Sequence, residues 1–158
     1  MMGNYFAVIV LIFSLLLQGC TGSQSGKAIT EPDGTLITPQ RLGEINGTVW
    51  HLKKMMKDNT SIPLVENSET TFSCFADGTV SGLAAINRYS GNLKLNNDGG
   101  IVWNKAFIMT RMAGPPELMQ QETEFVQVLM KTTQMVSKGS SLLMRNTDGS
   151  ILLEFEQK

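Results

Sequence analysis

The sequence has little of the chemistry on which most hydrolases and metalloproteins depend. Its 158 residues include one histidine, His51, and two cysteines, Cys20 and Cys74. A hydrolase needs a nucleophile, a base and a group that orients the base, and the segment NRYSG around Ser90 lacks the Gly-x-Ser-x-Gly elbow. The sequence also contains no phosphate-binding loop, dinucleotide fingerprint or metal-ligand spacing. We therefore expect a protein that is not an enzyme and that has no catalytic residue, cofactor or metal.

The sequence has nearly equal numbers of basic and acidic side chains. The chain carries 13 basic and 14 acidic side chains, which give a net charge of -1. This balance predicts no basic face for nucleic acid and no polybasic segment for anionic lipid. Two acidic pairs, Glu122 with Glu124 and Glu154 with Glu156, have a two-residue spacing that is typical of solvated faces. We expect all four carboxylates in solvent.

The first nineteen residues contain no charged side chain. The apolar run from Tyr5 to Leu17 is interrupted only by Ser14. It is shorter than the stretch of about 20 residues that spans a bilayer, and its length suits the core of a signal peptide. The run ends in LQGC, which resembles the lipobox of bacterial lipoproteins. The alternative is a buried or transmembrane helix that happens to end in Gly-Cys.

We predict that residues 1–19 are a signal peptide and that Cys20 is the lipidated residue. Several acyl chains on Cys20 would anchor the protein stably in a membrane, at roughly 0.8 kcal/mol per buried methylene. Thr21 stands where Asp would favour the inner membrane, so we expect the outer membrane, with the domain facing the periplasm. Residues 21–44 are rich in Gly, Ser, Thr and Pro. They predict a flexible tether with a reach of about 25 to 30 Å, followed by one domain over residues 45–158.

The pattern of that domain predicts an antiparallel sheet. Trp50 and Leu52 alternate with polar neighbours, as in a half-buried strand. Cys74 lies in another strand-like stretch, where it is either a small buried residue or a reactive thiol. Three turn signals each separate two strand candidates, which indicates three hairpins. These turn signals are Asp77-Gly78, residues 96–100 and Asp148-Gly149.

One segment has the pattern of a helix instead. Residues 117–131 follow Pro115-Pro116 and consist of good helix formers. Leu118, Phe125 and Leu129 fall at helical spacing, which predicts one amphipathic helix packed on the sheet.

The segment GLAAINRYSG, residues 82–91, concentrates unusual polar side chains. Asn87 suits a turn because its side chain can bond to its own backbone. Tyr89 has an apolar ring with a polar tip and is expected at the edge of the domain. We interpret the segment as a structural turn. The alternative is that Arg88 and Tyr89 contact a partner.

Four blocks of the sequence, taken in order, resemble the META domain (HslJ-like) family of small bacterial envelope proteins. The blocks are GTVWHL, then DGTVSG with NRYSG, then TRMA with a helix of the pattern ExxFxxxL, and finally LLMRNTDGSILLEFE. The resemblance covers residues 45–156. It implies an α+β, mainly β fold, in which a strongly curved antiparallel sheet forms a partial barrel with one packed helix.

The chain departs from the family at two positions that usually hold cysteine. Ile86 stands before Asn87, and Gly114 follows Ala113. Joint loss of the two cysteines is expected if they lie close together in the family, because a lone survivor would be a thiol free to mispair. The resemblance therefore predicts that Ile86 packs against the backbone of Gly114.

The resemblance also implies a function. It indicates a non-enzymatic envelope lipoprotein that binds or supports another envelope component in stress or drug tolerance. Its expected partners are the membrane, through Cys20, and an envelope protein. The alternative is a carrier or chaperone for a small apolar ligand on the concave face of the sheet. That alternative requires Phe72, Trp103 and Phe107 to line an open cavity rather than a filled core.

Overall fold

The computed structural model describes residues 30–31, 34–104 and 107–158. The predicted signal peptide and Cys20 lie outside these ranges. The described part of the chain contains twelve strands, one α-helix and one 3-10 helix. In chain order these are β1 (Thr30–Glu31), β2 (Gly34–Leu36), the 3-10 helix (Pro39–Glu44), β3 (Trp50–Lys57), β4 (Thr60–Ile62), β5 (Thr71–Cys74), β6 (Thr79–Ala84), β7 (Asn87–Leu95), β8 (Ile101–Trp103), β9 (Ile108–Met109), α1 (Pro116–Leu129), β10 (Gln134–Lys138), β11 (Ser141–Arg145) and β12 (Ile151–Gln157).

The strands form one antiparallel sheet, so the predicted α+β, mainly β fold is confirmed. Their order is β1-β2-β10-β11-β12-β3-β5-β6-β7-β8, with β4 paired to β3 and β9 paired to β7. The sheet curls until its far ends approach each other. The backbone N–H of Ile101 in β8 donates to the carbonyl of Thr133, next to β10, at 2.7 Å. A Cβ atom built on Gly99 would lie 2.9 Å from Leu36 Cγ in β2. The sheet is a partial barrel that does not close.

The three predicted hairpins are present, and a glycine in each turn has a left-handed backbone, including Gly99 with a φ of +79°. Gly78 has a φ of +83° and Gly149 a φ of +88°. Asp77 itself is not left-handed. Its carboxylate accepts a hydrogen bond from the backbone N–H of Thr79 at 2.8 Å, and this bond lowers the pKa of Asp77 below its ordinary value. Each dipeptide thus supplies one flexible residue and one side-chain acceptor.

The helix packs on the inner side of the curved sheet. It starts with Pro116, where the fixed φ of proline suits the first turn, and it ends at Leu129, two residues before the predicted end. Phe125 in α1, Phe72 in β5 and Phe155 in β12 are fully buried. The ring centroids of Phe72 and Phe155 are 5.7 Å apart, and those of Phe125 and Phe155 are 6.4 Å apart. Within the described ranges, no helix is long and apolar enough to cross a membrane.

The folded part of the chain starts earlier than the predicted boundary at residue 45. Strand β2 pairs with β10, where Leu36 lies opposite Val136. Leu36, Ile37 and Leu42 are buried, and Ile37 N–H donates to the carbonyl of Met135 at 2.8 Å. Residues 34–44 are therefore not tether. Their composition predicted a flexible segment, but the three buried apolar side chains hold this segment against the rest of the domain.

Replacing Ile37 by Ala tests this assignment. Ile37 is fully buried, so its truncation should lower the free energy of unfolding by about 2 to 5 kcal/mol. Val49→Ala is the matched control because Val49 is 50% exposed and should change the same quantity little. Urea unfolding measures both variants. Equally small changes in the free energy of unfolding for both variants would show that residues 34–44 belong to the tether and not to the folded domain. If Ile37→Ala does not fold, Ile37→Val should still cost about 1 kcal/mol.

Candidate functional site

The segment GLAAINRYSG forms the tight turn between β6 and β7. Ala84 and Asn87 are paired across it. Ala85 has a φ of +66°, and the N–H of Ile86 donates to the carbonyl of Ala84 at 2.9 Å, as in a γ-turn. A left-handed alanine costs about 1 to 3 kcal/mol and persists only where its surroundings impose it. The turn must therefore be held by other contacts.

The first of these contacts joins Asn87 to Glu122 of helix α1. The Asn87 backbone N–H donates to Glu122 Oε2 at 2.8 Å, and its side-chain Nδ2 donates to Oε1 at 3.0 Å. Both residues are buried, at 2% and 8% exposure. The prediction that Glu122 lies on a solvated face is therefore wrong. Its sequence position contained the signal, because Glu122 lies four residues after Leu118 and seven before Leu129, in the buried stripe of the helix.

The second contact joins Asn87 to the segment that follows β9. Asn87 Oδ1 accepts hydrogen bonds from Thr110 Oγ1 at 2.8 Å and from the Met112 N–H at 2.7 Å. Asn87 Nδ2 also donates to the Met112 carbonyl at 3.1 Å. An asparagine side chain has two donor hydrogens and two acceptor positions. All of them are used here, so this amide has no capacity left for a ligand.

The third contact is the predicted one between Ile86 and Gly114, and it is confirmed. A Cβ atom added to Gly114 would overlap Ile86 Cδ1 and lie 3.2 Å from Ile86 Cγ1. The isoleucine side chain thus fills the space against the Gly114 backbone. Only a residue without a side chain fits at position 114 while Ile86 keeps this position.

Of the two predicted partner contacts in this segment, Tyr89 is buried and Arg88 is exposed. Tyr89 is 3% exposed, and its hydroxyl donates to the Thr71 carbonyl at 2.8 Å. A side chain at Gly82 would collide with this hydroxyl. Burial raises the pKa of Tyr89 well above its ordinary value. A contact role for Tyr89 is therefore wrong, because its ring serves the core. Arg88 stays a prediction.

The residues considered for catalysis take separate roles. His51 Nδ1 lies 3.4 Å from Glu69 Oε1, and no hydrogen bond joins it to Ser90 among the described residues. Cys74 is fully buried, and burial raises the pKa of its thiol to about 12, so the reading as a small core residue applies. Across the described ranges, no cluster of three or more His, Cys, Asp or Glu side chains could hold a metal.

Two of the other three carboxylates in these acidic pairs form ion pairs with lysines. Glu124 Oε2 lies 2.9 Å from Lys57 Nζ, and Glu156 Oε2 lies 3.1 Å from Lys53 Nζ. Glu154 is half-buried in β12. A solvated face thus describes Glu156, whose side chain is 47% exposed, better than Glu124, whose side chain is 23% exposed, and Glu122 departs most from the expected environment.

The buried residues Asn87 and Glu122 lie at the base of an open groove between β9 and α1, which Thr110 and Met112 also line. The groove has a volume of about 400 Å³. Its walls are mainly apolar and include three methionines, Met109, Met112 and Met119. A second depression continues it along α1 past Met109 and Val126. Met112 is 54% exposed. We call this feature the methionine groove.

The fold and this site define a class of protein. It is a small domain in which a curled antiparallel sheet carries one helix, and in which an asparagine turn is bonded to a glutamate of that helix. The sequence matches the family described as META domain over residues 43–158. The chain belongs to the META domain family, as its resemblance predicted.

Solved structures show the same fold at low sequence identity. One is described as the NMR structure of a protein from Burkholderia xenovorans, with 18% identity and a TM-score of 0.62, over 87% of this chain and 97% of that one. Another NMR structure has 20% identity and a TM-score of 0.52, over 77% of this chain and 95% of the other. No curated protein matches the sequence. These likenesses concern the fold alone.

The contact between Ile86 and Gly114 predicts that a cysteine pair can replace it. In a Cys20→Ala background, the double variant Ile86→Cys with Gly114→Cys should form a disulfide on oxidation, because the two side chains occupy adjoining space. Such a bridge typically adds about 2 to 4 kcal/mol to the free energy of unfolding. Thiol titration of the denatured protein should then detect only Cys74. The control variant, Ile86→Cys with Ser90→Cys, should keep every thiol free. Free thiols in both variants would contradict the contact.

Proposed function

We propose that this chain is a non-enzymatic envelope lipoprotein, anchored through Cys20, whose META domain binds another envelope protein. The methionine groove is the surface that receives the partner. Membership of the META family supports a domain that works in the bacterial envelope, and the lipobox-like sequence LQGC supports the anchor. Stress or drug tolerance is the process in which we place it.

The observation that carries the proposal is the difference between the base and the walls of the groove. At the base, every donor and acceptor of the Asn87 side chain is bonded inside the protein. An active site needs groups that can interact with a substrate. The walls instead present flexible methionine side chains, which adapt to apolar groups of different shapes. This combination suits recognition of a protein surface more than a chemical reaction.

Arg88 and Arg111 place positive charge beside this groove. Both are exposed, and Arg111 is part of its wall. The N–H of Arg88 donates to Thr110 Oγ1 at 3.1 Å, so its backbone is fixed next to the groove while its side chain is free to extend. A contact role for Arg88 stays a prediction, and Arg111 is the cation in the wall of the groove itself.

The carrier hypothesis receives less support. It requires Phe72, Trp103 and Phe107 to line an open cavity on the concave face. Phe72 is fully buried, and the ring of Phe107 stacks on Tyr89 with centroids 5.2 Å apart. Trp103 Nε1 donates to the carbonyl of Thr132 at 2.9 Å. These rings pack in or against the core, so a ligand would have to displace the packing.

Site-specific crosslinking tests the proposal. A photoreactive amino acid at position 112, in the groove, should capture one envelope protein in cells. The same probe at position 151, which is 40% exposed and lies in β12, is the control and should not capture that protein. Met119→Glu should abolish capture from position 112, because it places a charge in the apolar wall. Equal capture from positions 112 and 151, or capture that survives Met119→Glu, would contradict the proposal.

The anchor has its own measurement in the same cells. Labelling with a palmitate analogue should mark the native chain and not the Cys20→Ala variant. That variant should also lose the captured partner, because the domain would no longer be held beside it. A native chain without label would contradict the lipoprotein assignment and leave the groove result to be judged separately.

A further inference from the structure

We propose that the domain has a second contact surface, a basic strip on the outer face of β7 that lies against an anionic bilayer. The strip consists of Arg88 and Lys94 in β7, Val102 in β8 and Ile108 in β9. This inference rests on the proposed lipid anchor, and it adds an orientation: the strip faces the lipid headgroups while the methionine groove beside it stays open to the partner.

The charge of the chain is unevenly distributed, which its near-neutral total conceals. Residues 79–115 contain four basic side chains and one acidic side chain, Asp98. Their net charge is therefore +3, and since the whole chain has a net charge of -1, the remaining residues carry -4. The expectation that the chain has no basic face rests on the total charge, and the proposed strip departs from it. A total charge cannot reveal how the sheet groups its cations.

The strands place two of these cations, Arg88 and Lys94, and two exposed apolar groups on one face. Arg88, Ser90 and Lys94 are the exposed positions of β7. Val102 is paired with Lys94, and Ile108 is paired with Ser90. Val102 is 52% exposed and Ile108 is 71% exposed. From Arg88 to Lys94 the strip is about 20 Å long, given about 3.3 Å per strand residue.

The cations of the strip are available to a partner. The ion pairs formed within the described ranges involve other residues, and neither Arg88 nor Lys94 takes part in them. These pairs are Arg41 with Glu44, His51 with Glu69, Lys53 with Glu156 and Lys57 with Glu124. Glu69 is the acidic residue that shares a shallow depression with Arg88, and it lies 3.4 Å from His51.

The chemistry of the strip fits a bilayer surface. Membrane-surface segments combine Lys and Arg, which attract anionic headgroups, with aliphatic side chains that enter the boundary of the acyl region. Ile108 and Val102 provide the aliphatic groups next to the two cations. Ile108 is the most exposed of the large apolar side chains in the described residues, and a bilayer would cover it without needing a shaped pocket.

The position of strand β1 also supports a bilayer as the surface that contacts the strip. Thr30 is paired with Thr35, and the next residue, Leu36, packs beside Gly99 in the connection between β7 and β8. Strand β1, the first element that the structure describes, therefore lies near the Lys94 end of the strip. Nine residues, 21–29, separate Cys20 from Thr30, and a flexible chain of that length reaches about 15 to 18 Å. A lipid on Cys20 would hold this end of the strip close to the headgroups, where even a weak attraction is effective.

Fluorescence of the full lipidated protein in vesicles tests the proposal. An environment-sensitive dye is attached at Ile108→Cys, with Ile151→Cys as the control position, and Cys74 stays unlabelled because it is buried. Vesicles contain either phosphatidylcholine alone or phosphatidylcholine with phosphatidylglycerol, and both carry a lipid-bound quencher. Quenching at position 108 should be at least threefold greater in the anionic vesicles and should fall at high salt. Quenching at position 151 should be the same in both.

Charge variants identify the cause. Arg88→Gln with Lys94→Gln should remove the added quenching at position 108. Lys54→Gln with Lys131→Gln changes the net charge equally at exposed residues outside the strip, and it should leave the quenching intact. Equal quenching at positions 108 and 151, or equal loss from both charge pairs, would overturn the proposal. So would capture of an acidic protein from position 108 without any quenching by lipid.

The experiments can distinguish a failure of the bilayer contact from a failure of the proposed lipid anchor. The mass of the purified protein reports the lipid on Cys20 before vesicles are prepared, and an absent lipid contradicts the anchor itself. An anchored protein whose strip is not quenched contradicts the bilayer contact only. Capture from position 112 continues to test the groove in either case.

Discussion

The hydrogen bonds between Asn87 and Glu122 fix helix α1 against the end of strand β7. Two donors of one residue meet the two oxygens of one carboxylate, at 2.8 and 3.0 Å. Both groups are buried, and a buried polar group that loses its partner costs about 1 to 3 kcal/mol. Loss of the Glu122 carboxylate leaves both Asn87 donors without this partner, and loss of the Asn87 amide leaves Glu122 Oε1 without its donor.

Several other features of the fold depend on these hydrogen bonds between Asn87 and Glu122. The remaining atoms of the Asn87 amide bind Thr110 and Met112, which sets the course of the chain between β9 and α1. That course brings Gly114 under Ile86 and supports the left-handed backbone of Ala85. It also forms one wall of the methionine groove and places β9 beside β7. The proposed partner site and the basic strip are thus positioned by the same asparagine.

The sequence allowed prediction of features whose causes are local. The hairpins follow from glycine in tight turns, and α1 follows from the spacing of Leu118, Phe125 and Leu129. Features that depend on distant residues were missed. The local sequence predicts a solvated carboxylate at Glu122, because its partner Asn87 is 35 residues away in the chain. Tyr89 was expected at the edge of the domain, but the absence of a side chain at Gly82 lets its hydroxyl reach the Thr71 carbonyl. Leu36 was expected in the tether, but its strand pairs with β10. Only the contact of Ile86 with Gly114 was predicted at long range, because two joint departures from a family pattern pointed to it.

A double-mutant cycle on Asn87 and Glu122 tests the central claim most directly. The free energy of unfolding is measured for the native chain, Asn87→Ala, Glu122→Ala and the double variant. We expect a coupling energy of about 2 to 3 kcal/mol, within the range for residues of one bonded network. The half-buried pair of Lys57 and Glu124, which also joins α1 to β3, is the control and should show a smaller coupling. Additive effects at Asn87 and Glu122, with no coupling, would contradict the claim that their bonds hold the helix to the turn.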